Sequence, residues 1–329
     1  MLKKFIVIFF LYCITINAQQ VFNKTVKLMG CRFDIVVVAD SENIADKHIY
    51  TAIQEIKRIE NLISSWNPSS QTSKINLNAG ITPVKVDSEL FQLIKRSKKI
   101  SQLTDGAFDI SFASIHKLWK FDGTTINPPT KESIQLSVSK INFKNILLNE
   151  EKQTVFLKEK GMKIAFGAIG KGYVADKAKK LLQSEGVVAG IINASGDMNT
   201  WGEQPNGDPW KVAITNPMDK SKSFGTLPIS NQSIVTSGNY EKFLLMQGKR
   251  YSHIIDPRTG YPTTGILSVS VIAPKAELAD ALATSIFVIG KEIGLDRINQ
   301  LKNVECIIID DEGGIHYSEN IQINKNKTW

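Results

Sequence analysis

Strand-like and helix-like stretches follow one another along this chain without strict alternation, and that order constrains its fold more than any single motif. Isoleucines at 49, 53, 56, 59 and 63 recur at helical spacing and predict an amphipathic helix over 42–63, stopped by "SSWNPSS". Further helices are predicted over 88–103, over 171–185 ending in Gly186, over 275–290 ending in Gly290, and near 291–301. The β-branched run "VKLMGCRFDIVVV", 26–38, reads as a strand. "INFKNILLNEEKQTVFLKEKGMKIAFGAIG" reads as successive strands with turns between them, and short strands alternate with Gly, Pro and Asn turns from 187 to 273. A hairpin is predicted around "DDEGG". No internal repeat or low-complexity linker divides the chain. The expected class is α+β: mixed sheets with flanking helices, in two intimate lobes that share a cleft.

With 329 residues, 42% of them hydrophobic and 22% charged, the chain can bury a sizeable core. It opens with two lysines and twelve almost wholly apolar residues, 5–16, before the small residue Ala18. Twelve helical residues rise only about 18 Å, too little to span a bilayer, so residues 1–18 read as a secretory signal and 19–329 as the mature domain. Tyr12 ahead of Cys13 is bulkier than a lipidation site favours, which points to an exported protein without a lipid anchor. Removing Lys3 and Lys4 lowers the formal charge from +8 to about +6. The remaining bases are spread among acids, with no stripe or arm for nucleic acid, whereas an anionic small molecule is a reasonable partner. Cys31 and Cys306 lie far apart in strand-like runs and are expected as buried free thiols.

Four stretches have the residue types that chemistry needs. "GAIGKGYVAD", 167–176, is a glycine-rich loop entering a helix, where amides and Lys171 suit an anion; an ordinary tight turn is the plainer reading. In "TDGAFDIS", 104–111, Asp105 and Asp109 either build a turn or bond a polar ligand. "YSHIIDPRTGYP", 251–262, offers His253 as a proton acceptor or as a structural residue beside a turn. In "KAELADALATSIFVIG", 275–290, Asp280 and Thr284 stand i and i+4 on one side of the helix. They make either a brief solvent face with Glu277 or two oxygen ligands for a hard cation such as Mg²⁺ or Ca²⁺.

"SVSK" (137–140), "SGN" (237–239) and "RTG" (258–260) mimic the elements of serine acyl enzymes. There the serine opens a long apolar helix, whereas here Ile141 and Phe143 follow in a period of two, so the context reads as a strand.

Taken together, "TDGAFDIS", "GAIGKGYVADKA", "NASGD" (193–197), "TSGNYE" (236–241), "HIIDPRTGYP" (253–262) and "ADALATS" (279–285) resemble the ApbE family of flavin transferases over about residues 26–315. The resemblance implies a Mg²⁺- or Mn²⁺-dependent enzyme of the bacterial cell envelope, expected in the periplasm. Such an enzyme cleaves FAD, moves FMN onto a threonine hydroxyl of a target protein and releases AMP. The implied targets are flavin-carrying subunits of redox-driven ion pumps and related electron-transfer proteins. The resemblance also implies that Asp280, Thr284 and the Ala168 carbonyl hold the metal. It implies that Met29, Trp66, Ala107, Phe108, Asp109, Lys171 and His253 contact FAD in its cleft, with His253 as general base. Runner-up readings are an FAD pyrophosphatase sharing the site and a non-catalytic FAD-binding protein. The chain departs from the family at Ala165, where many members have an acid, which bears on how the flavin is held; Ser195 in place of a common glycine is a milder change.

Overall fold

The structure, a computed structural model, describes residues 19–321 except 116–117, 125–126, 220–222 and 240–241. The signal expected at 1–18, His116, and the last two residues of "TSGNYE" lie outside the described residues. The chain opens as β1 (Gln20–Leu28), β2 (Cys31–Ala39), α1 (Glu42–Ile63), α2 (Gln71–Leu77), β3 (Val84–Lys85) and α3 (Ser88–Leu103). After a 3-10 turn at Ile110–Ser114 come α4 (Lys131–Val138), β4 (Ile146–Asn149), β5 (Thr154–Leu157) and α5 (Gly170–Ser184). A run of strands comes next: β6 (Gly190–Ala194), β7 (Asp197–Trp201), β8 (Trp210–Thr215), β9 (Ser223–Ile229), β10 (Ser233–Gly238), β11 (Phe243–Met246), β12 (Lys249–Ser252) and β13 (Ile266–Ala273). The last elements are α6 (Ala276–Ile289), α7 (Lys291–Asn299), β14 (Glu305–Asp310) and β15 (Ile315–Tyr317).

Eight strands form one antiparallel sheet in the order β1-β2-β6-β7-β10-β13-β14-β15. Every residue of β13 is buried, so this strand is covered on both faces. Val269, Val271 and Ala273 join the core with α1, α5 and α6, while Ile272, of opposite parity, packs with Val212, Ile214, Leu227 and Ile229 of the β8–β9 ribbon. β2 divides likewise: Phe33, Ile35 and Val37 face the helices, and Val36 and Val38 pack with Trp210. The helix-side core continues through α3 to Ile146, Val155 and Leu157 of the small β3-β5-β4 sheet, so the expected mixed architecture shares one core. A separate cluster of Trp119, Ile134, Leu244 and Met246 joins α4 to the β11–β12 ribbon.

The strand expected over 26–38 is a hairpin. Met29 and Gly30 have φ of 50° and 75°, a two-residue turn that reverses the chain between β1 and β2. Methionine seldom adopts positive φ, so the stretch reads as continuous. The "SVSK" stretch also differs, because Ser137 lies in the last turn of α4, with its hydroxyl donating to the Ile134 carbonyl at 2.6 Å. A serine tied there does not open a long helix, so the acyl-enzyme reading loses its nucleophile. Residues 162–169, expected as strand, form none: Asn76 exchanges two hydrogen bonds with Ile164, Ser114 accepts from the Lys163 amide, and the Ala165 amide donates to the Ile110 carbonyl. Among the described residues no helix is long and apolar enough to cross a membrane.

The large sheet is notched at one edge. The β6–β7 hairpin turns at Ser195 and Gly196, with φ of 53° and 99°. Its neighbours run past it, since β2 pairs with β6 only from Phe33 and β10 pairs with β7 only through Val235. Cys31 on one side and Thr236, Ser237 and Gly238 on the other overhang this notch.

Candidate active site

The notch opens into a cavity of about 880 Å³. Ala107, Phe108, Asp109, Ala168, Lys171, His253, Asp280 and Thr284 all line it, so eight residues expected from four distant stretches converge. Two other expected residues lie outside the lining. Met29 packs at the start of α5, its Cε 3.8 Å from the position a Cβ on Gly170 would take, and Trp66 is 84% exposed in the loop after α1.

Close packing of α5 and α6 places the charged centre. At Gly172 a Cβ would lie 2.1 Å from the Ala276 carbonyl oxygen, so only glycine lets the two helices approach this closely. The Gly172 amide donates to Asp280 Oδ2 at 3.2 Å. One turn further along α5, Asp176 accepts from the Ala276 and Glu277 amides at 2.9 and 3.0 Å, capping α6 from another helix where Lys275 provides no side-chain cap. Burial pushes the Asp176 carboxyl up to about 6, against the pull of those amides. Asp280 is 3% exposed, and Glu277 is buried and bound to Arg96 at 2.6 and 3.0 Å, so the solvent-face alternative for this helix is overturned.

Lys171, in the first turn of α5, places Nζ 2.5 Å from Asp197 Oδ2 at the tip of β7. Burial opposes the lysine charge, but Asp197 and Asp280 outweigh it and raise its pKa. Burial also raises the pKa of both carboxyls; Asp280 adds to the rise at Asp197, and Lys171 opposes it at each. Lys171 thus faces two enclosed acids, and Asp197 Oδ1 has no hydrogen-bond partner among the described residues. No group of three or more His, Cys, Asp or Glu side chains gathers as a metal site among the described residues. The donors at hand are carboxylate, hydroxyl and carbonyl oxygens, a set that suits a hard cation such as Mg²⁺.

Asp109 lines the cavity and also builds the local turn. Oδ1 accepts from the Ser111 amide and hydroxyl at 2.8 and 2.7 Å, and Oδ2 from the Phe143 amide at 2.8 Å. Oδ1 thus caps the 3-10 turn, while Oδ2 ties this part of the cavity lining to the segment at Phe143. Asp105, with φ of 49°, lies in the turn and pairs with Arg297 at 2.5 Å.

His253 follows β12 in a braced loop. Ser252 and Thr263, and then Thr263 and Ile254, are joined by backbone bonds of 2.9 Å, and Trp119 Nε1 donates to the Gly260 carbonyl at 2.8 Å. His253 Nδ1 lies 3.2 Å from the Lys242 carbonyl oxygen. A carbonyl only accepts, so this bond places the proton on Nδ1 and leaves Nε2 as the basic nitrogen of the neutral ring.

Sequence reasoning does not single out Asp197 or Cys31. Asp197 follows a Ser-Gly turn and reads as turn chemistry, and Cys31 reads as a strand residue. The structure buries Cys306, but Cys31 is only half-buried and lines the cavity; both are free thiols.

Residues 29–308 match the model of the ApbE family. The chain is 33% identical over 293 residues to a FAD:protein FMN transferase of Klebsiella pneumoniae (strain 342), covering 88% of this chain and 90% of that protein. It is 30% identical over 293 residues to the FAD:protein FMN transferase of Treponema pallidum (strain Nichols), covering 83% and 81%. Its fold is similar to the crystal structure of the ApbE protein from Thermotoga maritima MSB8, at a TM-score of 0.81 and 30% identity over 91% of this chain and 97% of that one. The convergent cavity, the matched length and the shared fold agree: this chain belongs to the ApbE family.

Proposed function

We propose that this chain is a FAD:protein FMN transferase. The observation that carries the reading is the meeting of Lys171, Asp280, Thr284 and His253 around one cavity that Ala107 and Phe108 also line. FAD is a pyrophosphate between two flat heterocycles, and this cavity brings the Lys171 ammonium and the start of α5 together with apolar side chains such as Phe108. Lys171 and the start of α5 hold the phosphates, where the helix N-terminus adds positive potential. Asp280, Thr284 and the Ala168 carbonyl are the residues that would hold Mg²⁺ or Mn²⁺. When bound, the ion draws charge from the phosphoryl oxygens.

His253 Nε2 takes the proton of an acceptor threonine hydroxyl as its oxygen bonds to the phosphorus of the FMN half. The pyrophosphate P–O bond breaks on the opposite side, and AMP departs with the electron pair. The braced loop fixes His253, and much of the remaining catalysis is alignment of the acceptor. As the family resemblance implies, the acceptor is a flavin-carrying subunit of an ion pump or a related electron-transfer protein. The signal-like residues 1–18 support export, with the reaction in the cell envelope.

The test incubates the purified protein with FAD, Mg²⁺ and a threonine-bearing acceptor, and follows the acceptor by mass spectrometry. Gain of one FMN with release of AMP is expected. AMP and free FMN with an unlabelled acceptor would instead show a hydrolase.

A further inference from the structure

Asp197 lies outside the set of metal and flavin residues that the family resemblance supplies and does not itself line the cavity, yet Lys171 joins it to the site and it is more enclosed than Asp280. It is 1% exposed, and the positive-φ turn at Ser195 and Gly196 fixes it at the start of β7. Its Oδ2 holds Lys171, and its Oδ1 has no partner among the described residues. Asp280, 3% exposed, interacts with the same lysine and with the Asp197 carboxyl itself. An enclosed carboxylate oxygen without a donor, beside a second carboxylate, is poorly satisfied by one ammonium. A divalent cation would satisfy both groups. The lysine already there is a monovalent point charge on a flexible four-carbon stem, suited to leave when a stronger charge arrives.

We propose that Asp197 and Asp280 together seat the divalent cation, and that Lys171 is an internal cation filling this seat until the metal arrives. Released by the metal, Lys171 turns to the phosphates of FAD, a last clause that rests on the flavin-transferase reading. Metal arrival and phosphate capture are thereby linked, because the charge that grips the substrate is freed only in the loaded site.

The test uses the full chain without FAD and measures Mn²⁺ binding from the loss of the free-ion electron paramagnetic resonance signal. Asp197→Asn is expected to weaken binding about tenfold or more. Lys171→Met, which removes the competing cation, is expected to bind several-fold tighter, with a thermal midpoint that is low without Mn²⁺ and restored by it. In the wild-type protein, acetylation of Lys171 read by mass spectrometry is expected to speed up when Mn²⁺ is added. This readout needs no variant to fold. Wild-type affinity in Asp197→Asn, no gain in Lys171→Met, no acceleration of labelling, or no Mn²⁺ binding by the wild type would each overturn the proposal. FMN transfer alongside a metal affinity indifferent to Asp197 removes the seat and leaves the transferase. The expected binding shifts without FMN transfer do the reverse.

Discussion

At the scale of single residues, the proposed reaction separates groups that hold from groups that react. Asp280 is buried, receives the Gly172 amide and faces Lys171, so in the proposed reaction it acts through charge. Asp280→Ala is expected to lower metal-dependent turnover by at least about a hundredfold. FAD binding, followed by flavin fluorescence, should persist in part; turnover at the wild-type rate would contradict the assignment. In the proposed reaction His253 moves the proton. His253→Ala is therefore expected to cut kcat by about 10²–10⁴-fold with little change in KM for FAD. A steady-state comparison in which KM rises and kcat holds would make His253 a binding residue. These two residues are legible in the sequence because each comes with an unusual neighbourhood: a carboxylate in an alanine-rich apolar helix, and a histidine ahead of an Asp-Pro turn. Asp109 is ambiguous there, since a carboxylate that caps a turn and one that binds a ligand look alike until its partners are known. Asp197 is hidden behind ordinary turn residues, and its partner Lys171 is 26 residues away.

At the scale of elements, the geometry depends on how closely α5 and α6 pack. Gly172→Ala would drive a methyl group into the Ala276 carbonyl and force the helices apart. The expected cost is about 1–3 kcal/mol of stability, read from the denaturant midpoint, with slower turnover because Lys171 and Asp280 ride on the separated helices. An unchanged midpoint would mean that the helices absorb the methyl group elsewhere. The long helices are legible because their apolar positions recur every three to four residues, and α1 and α3 occupy the spans expected. The short α4 carries no clear stripe, and only its contacts with the β11–β12 ribbon reveal it. The segment over 162–169 reads as a strand because its apolar content is real, whereas its hydrogen bonds go to Asn76, Ser114 and the Ile110 carbonyl, which no periodicity encodes.

At the scale of the whole molecule, Glu89 ties three helices together. It accepts from Tyr173 Oη at 2.6 Å and pairs with Arg58 at 2.8 Å and Lys177 at 3.0 Å, joining α3 to α1 and α5. Burial works against its charge, yet bonds from Arg58, Tyr173 and Lys177 prevail and lower its pKa from 4.5 to about 2. A carboxyl lowered on folding stabilises the protein fully above its unfolded value, and this contribution is lost as pH falls from about 4.5 toward 2. Asp310, held low by Lys291 and His316, adds to the same acid limb. Glu89→Gln is expected to cost about 1–3 kcal/mol at neutral pH. Its thermal midpoint should converge on the wild-type value near pH 2, and parallel pH profiles would exclude this role. The α+β class is readable from the order of elements, but the strand order and the ribbon on the far face are not, because pairing joins residues far apart in sequence.

The short β6–β7 turn has a further consequence. Were that hairpin two residues longer, one on each arm, its new rung would lie level with Arg32 on β2 and Thr236 on β10, continuing both registers. The same sheet would then be closed where the notch now meets the cavity. In this architecture, the length of one β-turn decides between an enzyme and a solid wall.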